Sequence, residues 1–489
     1  MELTQLLNSV HVIQVIGEVQ RRDISSIEYD SRKIKNNSVF VAIKGFKTDG
    51  HKFIMDAINN GAVAVVVEDD KHVPDELILR SQIAKILVQN SRKALAELSK
   101  GLFNDPSSKL KLIGVTGTNG KTTTTYILKH ILQQAKYKTG LIGTIANYIG
   151  ERKIDSKLTT PEANDLNLFF NDMIEQKCSH AVMEVSSHSL VLNRVYGLDF
   201  SVAIFTNITS DHLDFHNTFE EYFRAKKIMF DYLSANSFAI INADDSNSNN
   251  IVKDSKAKIV SYGISQNSEY QIKNISYDLN GTQFTITHNR FDYNIQTSLI
   301  GTFNAYNAAA AFAAAKCLGV DENEIVKSIK TAPQVPGRFE VIGKGRKKVI
   351  VDYSHTADSL EKALQAIREI VKNNNQVVTV FGCGGDRDKT KRPVMGKIAS
   401  ELSDKVFITS DNPRTENPFA IIDDIKKGIS GNNFVVIENR EEAIKQAIKT
   451  SSDDAVVLIA GKGHENYQEI NGARNHFSDQ EIAGKYLAE

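Results

Sequence analysis

The run Leu112-Ile113-Gly114-Val115-Thr116 leads directly into Gly117-Thr118-Asn119-Gly120-Lys121-Thr122-Thr123, and a helix-patterned stretch follows. No other feature restricts the fold as much. It requires a buried strand, a tight glycine turn and a helix whose first N–H groups face an anion. Lys121 is placed to neutralise phosphate charge and the Thr122 hydroxyl to ligate Mg²⁺. Gly114 and Gly120 enclose five residues where the common phosphate loop encloses four. The shorter segment from Gly117 to Thr123 therefore carries the signal, against the plainer reading of a helix N-cap after a strand. The ligand expected at Gly117, Thr118, Asn119, Gly120, Lys121, Thr122 and Thr123 is a nucleoside triphosphate.

The chain has 489 residues, which at about 150 per domain suggests roughly three domains. Residues 1–105 mix short apolar strands, such as Ala62 to Val67, with the helical stretch Ser91 to Leu102, and read as a small α/β domain. Asn104-Asp105-Pro106-Ser107-Ser108 suits a linker. Over residues 106–332 apolar strands alternate with longer helical patterns, the signature of a parallel sheet wrapped by helices. Between Tyr270 and Leu299 the pattern turns to period two around Asn280-Gly281, which predicts an antiparallel appendage. Pro333 and Pro336 break the preceding helix and mark a hinge. Residues 333–489 alternate again, as in a doubly wound α/β domain, and contain no Gly-x-Gly-x-x-Gly fingerprint of a nicotinamide enzyme.

Lys+Arg and Asp+Glu number 59 each, so no whole-chain field favours nucleic acid or an anionic membrane. No apolar run approaches the roughly 18 residues of a membrane span, and the first residues lack signal-peptide character, which predicts a cytoplasmic protein. Cys178, Cys317 and Cys383 are far apart and read as small core residues, with neither a disulfide framework nor zinc-ligand spacing.

Two central segments end apolar strands in polar clusters: Met183-Glu184-Val185-Ser186-Ser187-His188, and Asn207 to His216 with Asp211, His212 and Asp214. Ligands gather at the carboxyl ends of parallel strands, so both clusters are expected to face the phosphate loop. Glu184 and His212 would then serve a second Mg²⁺ that brings a carboxylate and the γ-phosphate together. Zinc suits such a phosphate-rich, hard-oxygen site less well. Histidines that only satisfy buried polar groups are the plain alternative for His188, His212 and His216.

These segments, together with Thr159-Thr160-Pro161-Glu162, Ser210-Asp211-His212-Leu213-Asp214 and Arg224-Ala225-Lys226, occur in an order that resembles the Mur ligase family. The resemblance covers essentially the whole chain. It is strongest to the branch that adds the third residue of the peptidoglycan stem peptide. It implies an ATP-dependent amide ligation in which a substrate carboxylate attacks the γ-phosphate and an amine displaces phosphate from the acyl phosphate. Lys121, Glu184, His212 and Lys226 are the implied catalytic set, with Thr122, Glu184, His212 and Lys226 at the metals. Lys226 matches a family lysine modified by CO₂ to a carbamate, whereas Lys227 reads as a solvated helix residue. The resemblance further implies that Asn304, Arg338, Asp352 and His355 join the ATP site, although Asn304 also suits a helix N-cap. It places Ser31, Thr159, Thr160, Ser186, Arg194 and Lys226 on UDP-N-acetylmuramoyl-L-alanyl-D-glutamate. Leu192 stands where related enzymes often carry glutamine, which puts one polar contact in doubt. A monomer without nucleic-acid or membrane partners is expected.

The third domain is expected to choose the amino acid. Gly382 to Asp388 and Asp411-Asn412-Pro413-Arg414 offer two arginines at strand-end loops, and an arginine fork matches a carboxylate. Within the family, Asp-Asn-Pro-Arg resembles enzymes that add meso-diaminopimelate, whose distal end carries both an ammonium and a carboxylate. Arg387, Asp411, Asn412, Arg414, Gly461 and Glu465 are the implied contacts. A lysine-adding relative, a folylpolyglutamate-type ligase and a nucleotide switch without ligation are the alternatives.

Overall fold

The computed structural model describes residues 1–19, 23–45, 48–343, 345–371 and 375–488. Three α/β units follow one another, each around its own sheet. In the first, Val12–Ile16, Ala84–Val88, Ala62–Val67, Ser38–Val41 and Ser26–Glu28 lie side by side in that order. Val12–Ile16 runs antiparallel to Ala84–Val88 and the remaining pairs are parallel. Ala62–Val67 is buried along its whole length, as its unbroken apolar sequence requires of a strand covered on both faces. The helix Ser91–Leu102 starts on Asn90, whose side chain accepts from the Lys93 N–H, and buries Ala94, Leu95 and Leu98.

The phosphate-loop strand Lys111–Thr116 lies inside an eleven-stranded sheet, between His180–Glu184 and Phe200–Phe205 and parallel to both. Thr139–Ile142, Phe238–Asn242 and Lys258–Gly263 extend the parallel part. Glu184 pairs in register with Val115, and Phe205 with Thr116. The loops after all three strands therefore open along one line. The helices Lys121–Gln134 and Thr302–Cys317 pack on the same face of this sheet; the second is alanine-rich and brings its backbone close.

The expected antiparallel appendage is present and continues the edge of this sheet. Tyr270–Asp278, Gly281–His288 and Phe291–Thr297 form antiparallel pairs, but Tyr262 and Gly263 pair in parallel with Tyr270 and Gln271. Those two pairs join the hairpins to the parallel strands, and the register of the first hairpin shifts between Lys273 and Ser276. A second antiparallel extension, Ala146–Ile149 with Arg152–Asp155, closes the other edge and has no clear signal in the sequence.

Residues 104–109 form a tight turn: Asn104 and Asp105 take left-handed φ of 53° and 50°, and Asp105 accepts from Ser107 and Ser108. At the Pro333–Gly337 segment, Val335 is buried in the central core, and Gly337 has φ 64° where a Cβ would lie 2.1 Å from the His464 nitrogen. Only glycine permits that approach.

In the third unit, Glu340–Ile342, Lys348–Asp352, Val456–Ala460, Val377–Phe381, Lys405–Ile408 and Phe434–Val436 lie in that order, parallel except for the first. Asp352 and Phe381 both pair with Ala460, which aligns the loops that begin at Tyr353, Gly382 and Gly461. Cys178 and Cys383 are buried and Cys317 is half-buried; all three are free thiols.

Candidate active site

A cavity of about 680 Å³ lies at the carboxyl ends of the central strands, with the third unit across its mouth. Asn119 to Thr123 line one wall with Glu184, His212 and Lys226; Asn304, Arg338, Asp352 and His355 line the other. Residues more than two hundred positions apart are thus brought together by strand order and by the fold of the third unit onto the second.

The phosphate loop is held from both sides. Gly117 has φ 150°, and a Cβ there would lie 1.9 Å from Thr206 Oγ1. The Thr206 hydroxyl donates to Asn119 O at 2.6 Å, and Asn207 Oδ1 accepts the Asn119 N–H at 3.0 Å. Gly120, φ 86°, caps the helix that Lys121 opens. Lys121 Nζ donates to Gly117 O at 2.9 Å and Thr118 O at 2.8 Å, curling over the loop. Burial lowers its affinity for the proton, and the charges of Glu184 and Asp211 oppose that change.

Glu184 is 1% exposed. Its carboxylate accepts from the Thr122 hydroxyl at 2.9 Å, the Thr144 N–H at 2.8 Å and the Thr144 hydroxyl at 3.0 Å. Arg338 donates to the same Thr122 oxygen at 3.2 Å and rests over the Tyr353 ring at 4.5 Å. Lys226, also 1% exposed, donates to Gly117 O at 2.8 Å and lies 4.5 Å from the Tyr222 ring. Burial pushes its amine well below the usual lysine range; Lys121 pushes the same way and Asp211 opposes. Lys227, one residue on, points outward to Asp231 and Asp254. The consecutive lysines thus sit in opposite environments.

His212 adopts a left-handed φ of 55°, and burial pushes its imidazole down to about 4 despite Asp211. His188 stands edge-on to it at 5.0 Å, whereas His216 is buried against the Ser187 hydroxyl at 2.9 Å. Of the three histidines, His212 alone lines the cavity. Phe339, Asp386 and Arg414 share its positive φ, at 48°, 53° and 52°. Such non-glycine conformations cost of order 1–3 kcal/mol each and gather where a site demands them.

At the far end, Phe303 and Phe339 meet at 5.6 Å beside Tyr262, Tyr306 and Asn304. Asn304 is not a helix cap. Gly301 occupies that position, and the Asn304 side chain donates to Ile300 O at 2.9 Å and accepts from Asn307 at 3.0 Å. Asp352, whose carboxyl is raised by burial, accepts the Phe339 N–H at 2.6 Å. Asn119 donates to Asp358 of the third unit at 3.0 Å, tying the phosphate loop across the mouth.

Thr159 bonds Thr144 at 3.0 Å, and Thr160 bonds Ser186 at 3.3 Å and Glu184 O at 2.9 Å. Thr159 and Ser186 line the cavity; Thr160 and Arg194 lie behind its wall. Arg194 pairs with Glu162 at 2.8 Å and donates to Thr160 O at 3.0 Å. Leu192, 9% exposed, ends the Ser187–Val191 helix with its side chain turned inward, so no polar group stands there. Ser31 begins a turn in the first unit, outside the cavity; Asn60 donates to its carbonyl at 3.0 Å.

The six third-unit positions do not line the main cavity either. Arg387 edges a second hollow of about 390 Å³ that reaches Asp214 of the central unit. Asp214 is two residues from His212, which lines the main cavity. A Cβ on Gly384 would lie 3.0 Å from an Arg414 nitrogen and 3.9 Å from Arg387 Cγ, which brings the two strand-end loops together at Gly384. Arg414 donates to Gly385 O at 2.6 Å. Gly461 has φ 117°, and a Cβ there would lie 2.5 Å from Asp411 Oδ2. Asn412 donates to Glu465 at 2.8 Å.

Thr144, Tyr222 and Asn307 join the site without having been singled out, beside Asn207 and Asp211 of the expected cluster. The polar cluster after Phe205 was the signal for Asn207 and Asp211; the others had none. The described residues contain one compact trio of potential metal ligands, Asp49, His51 and His72, none of which lines the cavity. Around Glu184, the hydroxyl, carboxylate and imidazole donors suit a hard cation that also takes phosphate oxygens.

Residues 23–102 match the Mur ligase family catalytic domain, 115–315 the Mur ligase middle domain and 337–463 the Mur ligase glutamate ligase domain. A protein of Clostridium tetani named UDP-N-acetylmuramoyl-L-alanyl-D-glutamate--2,6-diaminopimelate ligase is 44% identical over 492 residues, covering 100% of both chains. A Bacillus cereus protein of the same name is 43% identical, covering 99% of this chain and 98% of its own. A solved structure of such a ligase superimposes with TM-score 0.72 at 33% identity, over 100% of this chain and 99% of that one. A folylpolyglutamate synthase of Mycobacterium tuberculosis shares the fold, with TM-score 0.62 at 16% identity over 76% of this chain and 92% of its own.

Proposed function

The chain belongs to the Mur ligase family, and on that premise we propose that it joins meso-2,6-diaminopimelate to UDP-N-acetylmuramoyl-L-alanyl-D-glutamate in peptidoglycan precursor synthesis. The observation that carries the reading is the cavity in which the Thr122–Glu184 pair and Lys226 of the central unit face Arg338, Asp352 and His355 of the third.

ATP lies with its phosphates on the loop from Gly117 to Thr123 and its base toward Asn304. The γ-carboxylate of D-glutamate attacks the γ-phosphorus, the bond to the bridging oxygen breaks, and ADP leaves. The amine at the L centre of diaminopimelate then attacks the acyl carbon, loses a proton, and expels phosphate. Two anions must meet in the first step, so the burden on the protein is electrostatic. Lys121 and Arg338 supply positive charge at the phosphates. Mg²⁺ held by Thr122, Glu184, His212 and a carbamate on Lys226 would offset the remaining repulsion. The buried Lys226 amine, far below its ordinary proton affinity and without a carboxylate partner among the described residues, suits reaction with CO₂.

Residues 1–105 hold the UDP end through Ser31, with Thr159, Thr160, Ser186, Arg194 and Lys226 on the muramoyl dipeptide. Residues 106–332 bind ATP, and residues 333–489 bind the amino acid through Arg387, Asp411, Asn412, Arg414, Gly461 and Glu465. No described helix is long and apolar enough to cross a membrane, in keeping with a cytoplasmic reaction.

The test is incubation with Mg·ATP, the UDP-dipeptide and either meso-diaminopimelate or L-lysine, reading phosphate and product mass. Phosphate and tripeptide with diaminopimelate alone are expected. Product with lysine alone would overturn the reading of Arg414. ATP hydrolysis that ignores both amino acids would favour a nucleotide switch, and glutamate addition to a folate would favour the other ligase class.

A further inference from the structure

Lys462 is 0% exposed, yet none of the steps above uses it. Its ammonium donates to Asn412 Oδ1 at 3.1 Å and to Glu465 Oε2 at 3.1 Å, and Asp411 Oδ1 lies 3.9 Å away. Asn412 Nδ2 donates to the same Glu465 oxygen at 2.8 Å, which closes a three-membered ring of hydrogen bonds. The Asn412 side chain is fixed further by the Glu469 N–H, on Oδ1 at 2.9 Å. Among the described residues the Glu465 carboxylate is therefore pinned through Oε2 alone, and none donates to Oε1.

We propose that Lys462 is a positioning residue for the amino-acid substrate: it locks Asn412 and Glu465 in one geometry and leaves Glu465 Oε1 free to receive the distal ammonium. The inference rests on the reading of residues 333–489 as the diaminopimelate unit. Charge supports it. Asp411 and Glu465 place two carboxylates beside the one buried ammonium of Lys462, so the trio carries a net negative charge that a cationic ligand would offset. Burial raises the Glu465 carboxyl, Lys462 opposes that change and Asp411 adds to it. Without Lys462, burial and the Asp411 charge both favour the protonated form of Glu465. Glu465 then takes up a proton and loses its attraction for the ammonium. A purely packing role would demand only bulk, which a methionine provides at similar volume.

The experiment compares Lys462→Met with the wild-type full chain in the ligation assay, titrating each substrate separately. The KM for diaminopimelate is expected to rise at least 30-fold, with the KM for ATP changing less than threefold. Equal rises for all substrates, or no rise for diaminopimelate, would overturn the proposal. Should Lys462→Met fail to fold, Lys462→Met/Glu465→Gln removes both charges together. That double variant is expected to fold and to keep the raised diaminopimelate KM; wild-type affinity in it would overturn the proposal. Wild-type protein that makes no tripeptide would instead count against the function itself, which keeps the two failures distinct.

Discussion

Glu184→Gln preserves the shape of the most firmly held carboxylate in the cavity and deletes its charge. In the native chain Oε1 accepts the Thr144 N–H at 2.8 Å, and Oε2 accepts the Thr122 and Thr144 hydroxyls at 2.9 and 3.0 Å. Glutamine can satisfy the same partners. Its oxygen faces the N–H, and its NH₂ faces two hydroxyls that rotate to accept. The loss in stability is then the difference between charge-assisted and neutral hydrogen bonds, about 1 kcal/mol. Catalysis loses far more. A unit charge about 4 Å from a counter-charge, at an effective dielectric near 20, is worth about 4 kcal/mol. Allowing for screening by phosphates and water, about 2–4 kcal/mol remains, or roughly 30- to 1000-fold in kcat. Glu184→Ala is the comparison. It strips the acceptor from three donors and should lower stability by about 3 kcal/mol as well. The assay is phosphate release at saturating substrates, with a thermal melt of each variant. Glu184→Gln protein that melts within about 3 °C of wild type and keeps more than about a tenth of its turnover would refute the role assigned to this charge.

Three further outcomes are expected. Arg414→Ala removes the fork offered to the distal carboxylate and should raise the diaminopimelate KM by roughly 30- to 150-fold, about 2–3 kcal/mol for a charged hydrogen bond, without changing any residual use of lysine; parallel losses on both amino acids in the same kinetic titration would count against the pocket. Lys226→Arg cannot take up CO₂ and should be inactive while folding normally, and wild-type activity should fall when bicarbonate is stripped and return when it is restored; indifference to bicarbonate together with an unshifted intact mass would remove the carbamate. Glu28, whose Oε2 is buried without a partner among the described residues, has its carboxyl pushed up to about 7 by burial, with Asp165 and Asp30 adding to the shift and Lys33 and Lys35 opposing it. A raised folded value means that its contribution is present below the unfolded value of 4.5 and is lost as the pH climbs through 7. Glu28→Gln should therefore stabilise the protein at pH 8 by about 1–2 kcal/mol, after discounting for solvent, and not at pH 4; an equal gain at both values in denaturant titrations would show that the effect is not ionic.

The phosphate loop, the two polar strand ends and the alternation of strands with helices were legible because each is a local pattern: a β-branched run, a glycine turn, a change of period. The antiparallel strands were legible for the same reason, but their continuity with the central sheet was not. That depends on Tyr262 and Gly263 finding Tyr270 and Gln271, a pairing no local period encodes. Thr144 shows the limit most plainly. It follows Gly143 in an unremarkable turn, and only the parallel pairing of Thr139–Ile142 with His180–Glu184 carries it to the Glu184 carboxylate.

Lys226 and Lys227 mark the division between what the sequence determined and what tertiary structure decided. The sequence fixes that two adjacent lysines follow Arg224-Ala225 on a helix, and helical geometry turns neighbours about 100° apart. It does not state which faces water. Packing of the Phe219–Asp231 helix against the phosphate-loop strand buries Lys226 on Gly117 and leaves Lys227 to Asp231 and Asp254. Local chemistry thus set the inventory of groups for binding a triphosphate and a zwitterion. Burial, which raises Glu465 and lowers Lys226, is a property of the assembled neighbourhood, so the protonation states on which the chemistry depends were decided only when the three sheets came together.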